Sequence, residues 1–197
     1  VMRRDNLHLT LVFIGNIDAG RLAELCSVAG AIAGEAFEFK LDRLHSLLDC
    51  LGNPERALPC LHVAGSKGKG SVSAMLASIL EESGKRTGLY TSPHLVDFRE
   101  RITRSGKFLD DRVYLRAFSR LGPLVIGQAP ESFVGGELPT FFELTTLLAF
   151  LCFADKQVLG DSGLDAAVYE VGMGGRLDST NVVDPLATVI TPIELEH

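Results

Sequence analysis

The chain has 197 residues, enough for one domain or two small ones. Hydrophobic residues make up 46% and charged residues 22%, a globular composition that excludes a disordered or collagenous chain. A net charge of −6 argues against a broad basic face for nucleic acid, yet it is compatible with a local anion site.

The chain opens with Leu7–Ile14, an alternating run rich in strand formers that stops at Gly15. Asp18 caps a predicted helix over 19–33. Residues 34–40 read as a turn and a short strand. From Leu41 a helical spacing lines up Leu44, Leu47, Leu48 and Leu51 until Gly52-Asn53-Pro54 ends it. A short apolar strand, 60–64, runs into the glycine turn 65–71, and a helix follows with Val72, Met75, Leu76, Ile79 and Leu80 on one side. A second strand covers 87–91 and breaks at Ser92-Pro93. A polar, arginine-rich loop then leads to Leu109, a helix spans 112–121, and 122–139 is a Gly- and Pro-rich loop expected to be mobile. A long apolar helix covers 140–156. Strand 166–171, a second glycine turn 172–175 and a last strand 187–193 complete the series.

Strands alternating with helices from Cys60 onward predict an α/β fold, a parallel sheet with helices on both faces, preceded by a short β-α segment. The four cysteines, Cys26, Cys50, Cys60 and Cys152, lack metal-type spacing and read as buried thiols of a reducing compartment. No secretory signal opens the chain, and the most apolar run, 144–154, is too short to span a bilayer, so a cytoplasmic location without membrane contact is expected. Val1 at one end and Glu194-Leu195-Glu196-His197 directly after a strand at the other lead us to expect a fragment. Missing strands would leave an open sheet edge.

The strand–turn–helix unit 60–80 carries the clearest chemistry. Glycines let several backbone N–H groups point at one spot, and the helix start adds its positive end. Lys69 would meet the β- and γ-phosphates of a nucleotide, and Ser71 would offer a hydroxyl to Mg²⁺. The general pattern G-x-x-x-x-G-K-[ST] is not matched: Val63 stands at its first position, and Gly70 precedes the hydroxyl of Ser71. A glycine turn of purely structural purpose is the alternative.

The octapeptide Ala64-Gly65-Ser66-Lys67-Gly68-Lys69-Gly70-Ser71 resembles the phosphate loop (P-loop) of the folylpolyglutamate synthase branch of the Mur ligase family. Four further stretches resemble later signatures of that family in order: 90–95 with 99–102, 139–143, 170–181 and 191–197. The resemblance implies a truncated Mur-ligase central domain over 41–197, with its C-terminal domain absent. It implies ATP and Mg²⁺ as cofactors and ATP-dependent joining of L-glutamate to dihydropteroate or a folate through an acyl phosphate. By the same resemblance Gly65, Ser66, Lys67, Gly68, Lys69, Gly70 and Ser71 hold the nucleotide. Ser71, Ser92, Glu170 and His197 serve Mg²⁺, with Lys69, Glu170 and His197 in catalytic roles. Ser92, Thr140, Phe141, Arg176 and Asp178 form the pterin side, Asp178 as a partner for pterin nitrogens. A monomer is expected for the complete proteins, and no activity from the piece alone.

Residues 1–40 do not fit that family. Asn6–Gly15, with His8 and Thr10, resembles the first His-x-Thr motif of the RNA 2′,3′-cyclic phosphodiesterases, a two-histidine fold. That chemistry needs a second His-x-Thr or His-x-Ser pair, which His45, His62, His94 and His197 do not form. The expectation is a junction between two unrelated pieces near residue 40. A nucleotide-binding module without ligase activity is a further alternative.

Overall fold

The computed structural model describes residues 35–159 and 163–194. The strand at 7–14, the helix at 19–33, His8, Thr10, Cys26 and His197 lie outside these residues.

Helix α1 (Glu35–Leu51) buries Leu44, Leu47, Leu48 and Leu51 along one side. Each such leucine contributes roughly 1.5–3 kcal/mol. Gly52 (φ 80°) and Asn53 (φ 54°) turn left-handed in succession, and the Asn53 N–H donates to the Leu48 carbonyl at 2.8 Å, which closes the helix. The expected turn and strand at 34–40 are therefore corrected from Glu35 onward. The Phe-x-Phe alternation found no neighbouring strand, and Glu, Ala and Lys prolong a helix readily.

Strands β1 (Cys60–Ala64), β2 (Thr87–Tyr90), β3 (Ile102–Arg104), β4 (Lys107–Phe108), β5 (Ala166–Glu170) and β6 (Ala187–Ile190) form one sheet in the order β4-β3-β2-β5-β1-β6. The pairs β2·β5, β5·β1 and β1·β6 are parallel, whereas β3 and β4 run antiparallel. The sheet is thus mixed rather than parallel. The segment expected as a polar loop folds back as a hairpin, turning on Ser105 (φ 45°) and Gly106 (φ 81°).

Alternation along the strands divides the core in two. Cys60, Tyr90, Ala167 and Tyr169 face α1, α3 (Asp111–Val125) and α4 (Phe141–Ala154). Val63, Leu89 and Val168 face α2 (Lys69–Glu82), with Ala77 at the centre. Helix α4 is apolar all round because it is buried between the sheet and the outer helices. Gly88 lets it approach: a Cβ there would come within 2.9 Å of the Phe153 ring.

Helix α3 outruns its expected end at Leu121, since Leu124 and Val125 pack on the core and hold the last turn despite Pro123. The loop that follows contains a 3-10 turn at Pro130–Ser132. Thr140 caps α4, which ends at Ala154, and a single turn, α5 (Lys156–Leu159), follows. Strands β5 and β6 stop at Glu170 and Ile190, short of the expected Val171 and Ile193. Cys60 and Cys152 are buried, but Cys50 is exposed. Among the described residues no helix is long and apolar enough to cross a membrane.

Candidate active site

The glycine turn leaves β1 at Ala64 and enters α2 at Lys69, with Gly68 (φ 81°) as the left-handed N-cap. Gly65 (φ 131°) lies so close to the chain after β6 that a Cβ would meet the Thr191 backbone oxygen at 2.8 Å. The Thr191 N–H in turn donates to the Ala64 carbonyl at 2.8 Å, and Ser66 N–H donates to the Pro192 carbonyl at 3.1 Å. Ser66 Oγ donates to the Glu194 carbonyl and accepts from the Glu194 N–H, and Lys67 pairs with the Glu194 carboxylate. Lys69 is half-buried, its ammonium resting 3.4 Å from the Ser66 carbonyl; Ser71 is exposed on the first turn of α2.

Glu170, the last residue of β5, reaches this turn. A Cβ on Gly70 would stand 3.5 Å from Glu170 Oε1 and 3.6 Å from Oε2. Burial raises its carboxyl above the ordinary value, while the Ser92 N–H, which donates to Oε2 at 3.1 Å, and the charge of Lys69 hold it down. Lys69, Gly70, Ser92 and Glu170 therefore meet at the C-terminal rim of the parallel strands.

Ser92 begins a tightly braced loop. Glu100 accepts from the N–H groups of Leu95, Val96 and Asp97. Arg99 pairs with Asp97 and Asp111, and Arg104 with Glu81, as solvated contacts. Arg101 departs from that pattern. It is buried, donates to His94 Nδ1 at 2.7 Å and stacks over the Phe141 ring at 5.5 Å. Phe98 touches both His94 and Phe141, so the loop after β2 is joined to the start of α4. Phe141, expected to be core or pocket wall, is 60% exposed. The Thr140 hydroxyl is used as a helix cap, accepting from the Glu143 N–H at 3.2 Å.

Asp178 is buried beside the second glycine turn. Its Oδ2 accepts from the N–H groups of Gly172 (2.9 Å) and Met173 (3.0 Å), and its Oδ1 from the N–H (2.9 Å) and hydroxyl (2.5 Å) of Thr180. These donors fill the four lone-pair positions of a carboxylate. The carboxylate expected to meet pterin nitrogens thus serves the donors of its own turn in the ligand-free chain. Gly172 is required because a Cβ would come within 2.4 Å of the Phe142 ring. Thr180 Oγ1 also lies 2.7 Å from His62 Nε2 inside β1. His62 reads from the sequence as a packed strand histidine, as found, whereas a threonine in a 3-10 turn carries no spacing signal. Arg176 is exposed, with its carbonyl accepting from Asn181.

A cavity of about 1320 Å³ opens beside these turns, lined by Gly65, Ser66, Lys69, Met173, Arg176 and His62. Among the described residues no three His, Cys, Asp or Glu side chains cluster to hold a metal ion. A single carboxylate at a glycine turn offers the hard oxygen that suits Mg²⁺, which keeps several waters and shares phosphate oxygens.

The dihydrofolate synthase/folylpolyglutamate synthase of Mycobacterium tuberculosis is 42% identical over 161 residues, 80% of this chain and 32% of that protein. The Bacillus subtilis counterpart is 41% identical over 157 residues, 80% of this chain and 35% of that one. A crystal structure of M. tuberculosis folylpolyglutamate synthase complexed with ADP and AMPPCP superposes with a TM-score of 0.71 at 40% identity, covering 81% of this chain and 34% of its own. This chain is similar to folylpolyglutamate synthases. Its fold over the matched part is theirs, and it spans about a third of the length of these relatives. The Thermotoga maritima folylpolyglutamate synthase gives a TM-score of 0.69 at 39% identity. Residues 1–53 match a different family, described as LigT like phosphoesterase.

Proposed function

We propose that the chain carries the nucleotide-binding part of an ATP-dependent ligase that joins L-glutamate to dihydropteroate or a folate. The convergence of Glu170 on the first turn of α2, 3.5 Å from the Cβ position of Gly70, is the observation that carries this reading. It places a carboxylate against a glycine turn that bears Lys69 and faces the loop of Ser92. The strong similarity to folylpolyglutamate synthases, two of them in complexes with ADP or AMPPCP, supports it.

In this reading the backbone N–H groups of 65–70 and the start of α2 receive the phosphates. Lys69 neutralises charge that develops on the γ-phosphate oxygens. The substrate carboxylate attacks that phosphorus, breaking its bond to the β-phosphate oxygen and releasing ADP, to give an acyl phosphate; the glutamate amino group then attacks the acyl carbon, expels inorganic phosphate and loses a proton. Glu170 and Ser71, with Ser92 and His197, would hold Mg²⁺, which when bound lowers the charge on the phosphates. Phe141 and the braced loop after Ser92, with Thr140 and Arg176 at its margin, bound the pterin side.

Titration calorimetry of the 197-residue chain with AMPPCP, with and without Mg²⁺, tests this. Lys69→Ala should weaken binding at least about tenfold, and Glu170→Gln should abolish the gain due to Mg²⁺. Binding that ignores both substitutions would sink the reading.

The match of residues 1–53 to phosphoesterases favours a second reading for the front of the chain alone. There, His8 and Thr10 are half of a cyclic-phosphate site, joined to the ligase piece near residue 40. Hydrolysis of a 2′,3′-cyclic nucleotide that His8→Ala removes would support it, and inactivity of the intact chain would count against it.

A further inference from the structure

The Gly172–Met173 turn begins one residue beyond Val171, the neighbour of Glu170, and its two leading N–H groups are both held by one oxygen of Asp178. The other oxygen of Asp178 is held by Thr180, and Thr180 is in contact with His62, whose backbone lies in β1, the strand that leads into the phosphate loop. We propose that His62, Thr180 and Asp178 form a buried hydrogen-bond relay in which His62 is a positioning residue, orienting the Asp178 carboxylate that fixes the turn after Glu170. This inference rests on the reading of Glu170 as a magnesium ligand only for its effect on nucleotide binding; the relay itself is a statement about the ligand-free chain.

Proton counting sets its direction. Three backbone N–H groups converge on Asp178, so its oxygens act as acceptors. Thr180 has a single hydroxyl hydrogen, and the 2.5 Å contact to Asp178 Oδ1 uses it. At 2.7 Å, His62 Nε2 must then donate to the Thr180 oxygen, which makes the ring the neutral Nε2–H tautomer. Burial keeps the imidazole neutral, holding it down to about 4. All three side chains are buried, so a lost link leaves a poorly solvated polar atom. The relay joins β1, the turn after β5 and the 3-10 turn Ser179–Val182. It thereby ties the strand feeding the phosphate loop to the turn behind the proposed metal ligand, from the face of the sheet away from α2.

Isosteric substitutions read the relay without relying on loss of fold. In His62→Gln the amide nitrogen takes the place of Nε2; in His62→Asn it takes that of Nδ1. Thr180→Ser keeps the hydroxyl and Thr180→Val removes it. Amide hydrogen exchange of the ligand-free 197-residue chain should stay native over 171–175 in His62→Gln and Thr180→Ser. It should rise at least about tenfold in His62→Asn and Thr180→Val. The Mg²⁺-dependent part of AMPPCP affinity should fall by about 10- to 100-fold in the same two variants, the range for outer partners of metal ligands. Equal exchange in the Gln and Asn variants would overturn the relay, even if Thr180→Val fails to fold. A wild-type chain that binds no nucleotide would overturn the ligase reading instead, and leave the exchange contrast to decide the relay.

Discussion

His62 is 5% exposed, and its imidazole is held down to about 4 because burial disfavours the charged ring. A depressed histidine is protonated in the unfolded chain from pH 6.5 downward but in the folded chain only near pH 4. Its contribution to stability is therefore complete at neutral pH and is lost as pH falls through that window, by roughly 3 kcal/mol in all. Glu55, Glu170 and Asp178, whose carboxyls burial raises, act in the opposite sense. The informative quantity is accordingly the difference between variants. Urea midpoints measured from pH 7 to pH 4.5 should fall more steeply for wild type than for His62→Gln, and parallel curves would contradict the assignment. At this scale the sequence was legible where chemistry has a spacing. Lys69, Ser92 and Glu170 were named from motifs and do converge. The partners of Asp178 were not legible, because a residue's neighbours, not its type, decide whether a carboxylate faces a ligand or its own backbone.

Among the elements, α1 and α4 are locked by one ion pair. Arg43 donates from Nη2 to Glu143 Oε2 at 2.9 Å and from Nε to Oε1 at 3.2 Å, and both side chains are at least nine-tenths buried. Glu143 also accepts from the Thr140 N–H at 2.6 Å, completing the capping box of α4. Arg43→Ala would leave that carboxylate buried and unpaired, at a cost of about 3–5 kcal/mol. Replacing both partners, as Arg43→Met with Glu143→Gln, should cost much less than Arg43→Ala alone, and chemical denaturation of the two proteins checks the order. Helices α1, α2 and α4 and the four parallel strands were readable because their apolar periods are long or end in clear stops. The hairpin β3–β4 was not, since strands of three and two residues leave no period to detect. The helical start of α1 was hidden by a Phe-x-Phe alternation that no partner strand among the described residues supports.

For the whole molecule the sheet order leaves β6 at one edge, paired only with β1 among the described residues. Strand β4 at the other edge is two residues long and carries Lys107, whereas β6 is an Ala-Thr-Val-Ile run without charge. Uncharged edges of this kind promote strand-to-strand association. The isolated 197-residue chain should self-associate in sedimentation runs as its concentration rises, and Thr188→Lys should suppress this; a monomer at every concentration would show the edge to be covered. The order of strands was foreseeable in class but not in detail, because pairing between segments distant along the chain is set by packing rather than by local pattern.

The seam between Gly65–Lys67 and Thr191–Glu194 has a temporal meaning. The glycine turn is synthesised before the residues that brace it, which come some 127 positions later. A nascent chain paused before that segment has the correct turn sequence and nothing to clamp it. The turn is thus clamped only once the sixth strand has slid in beside the first.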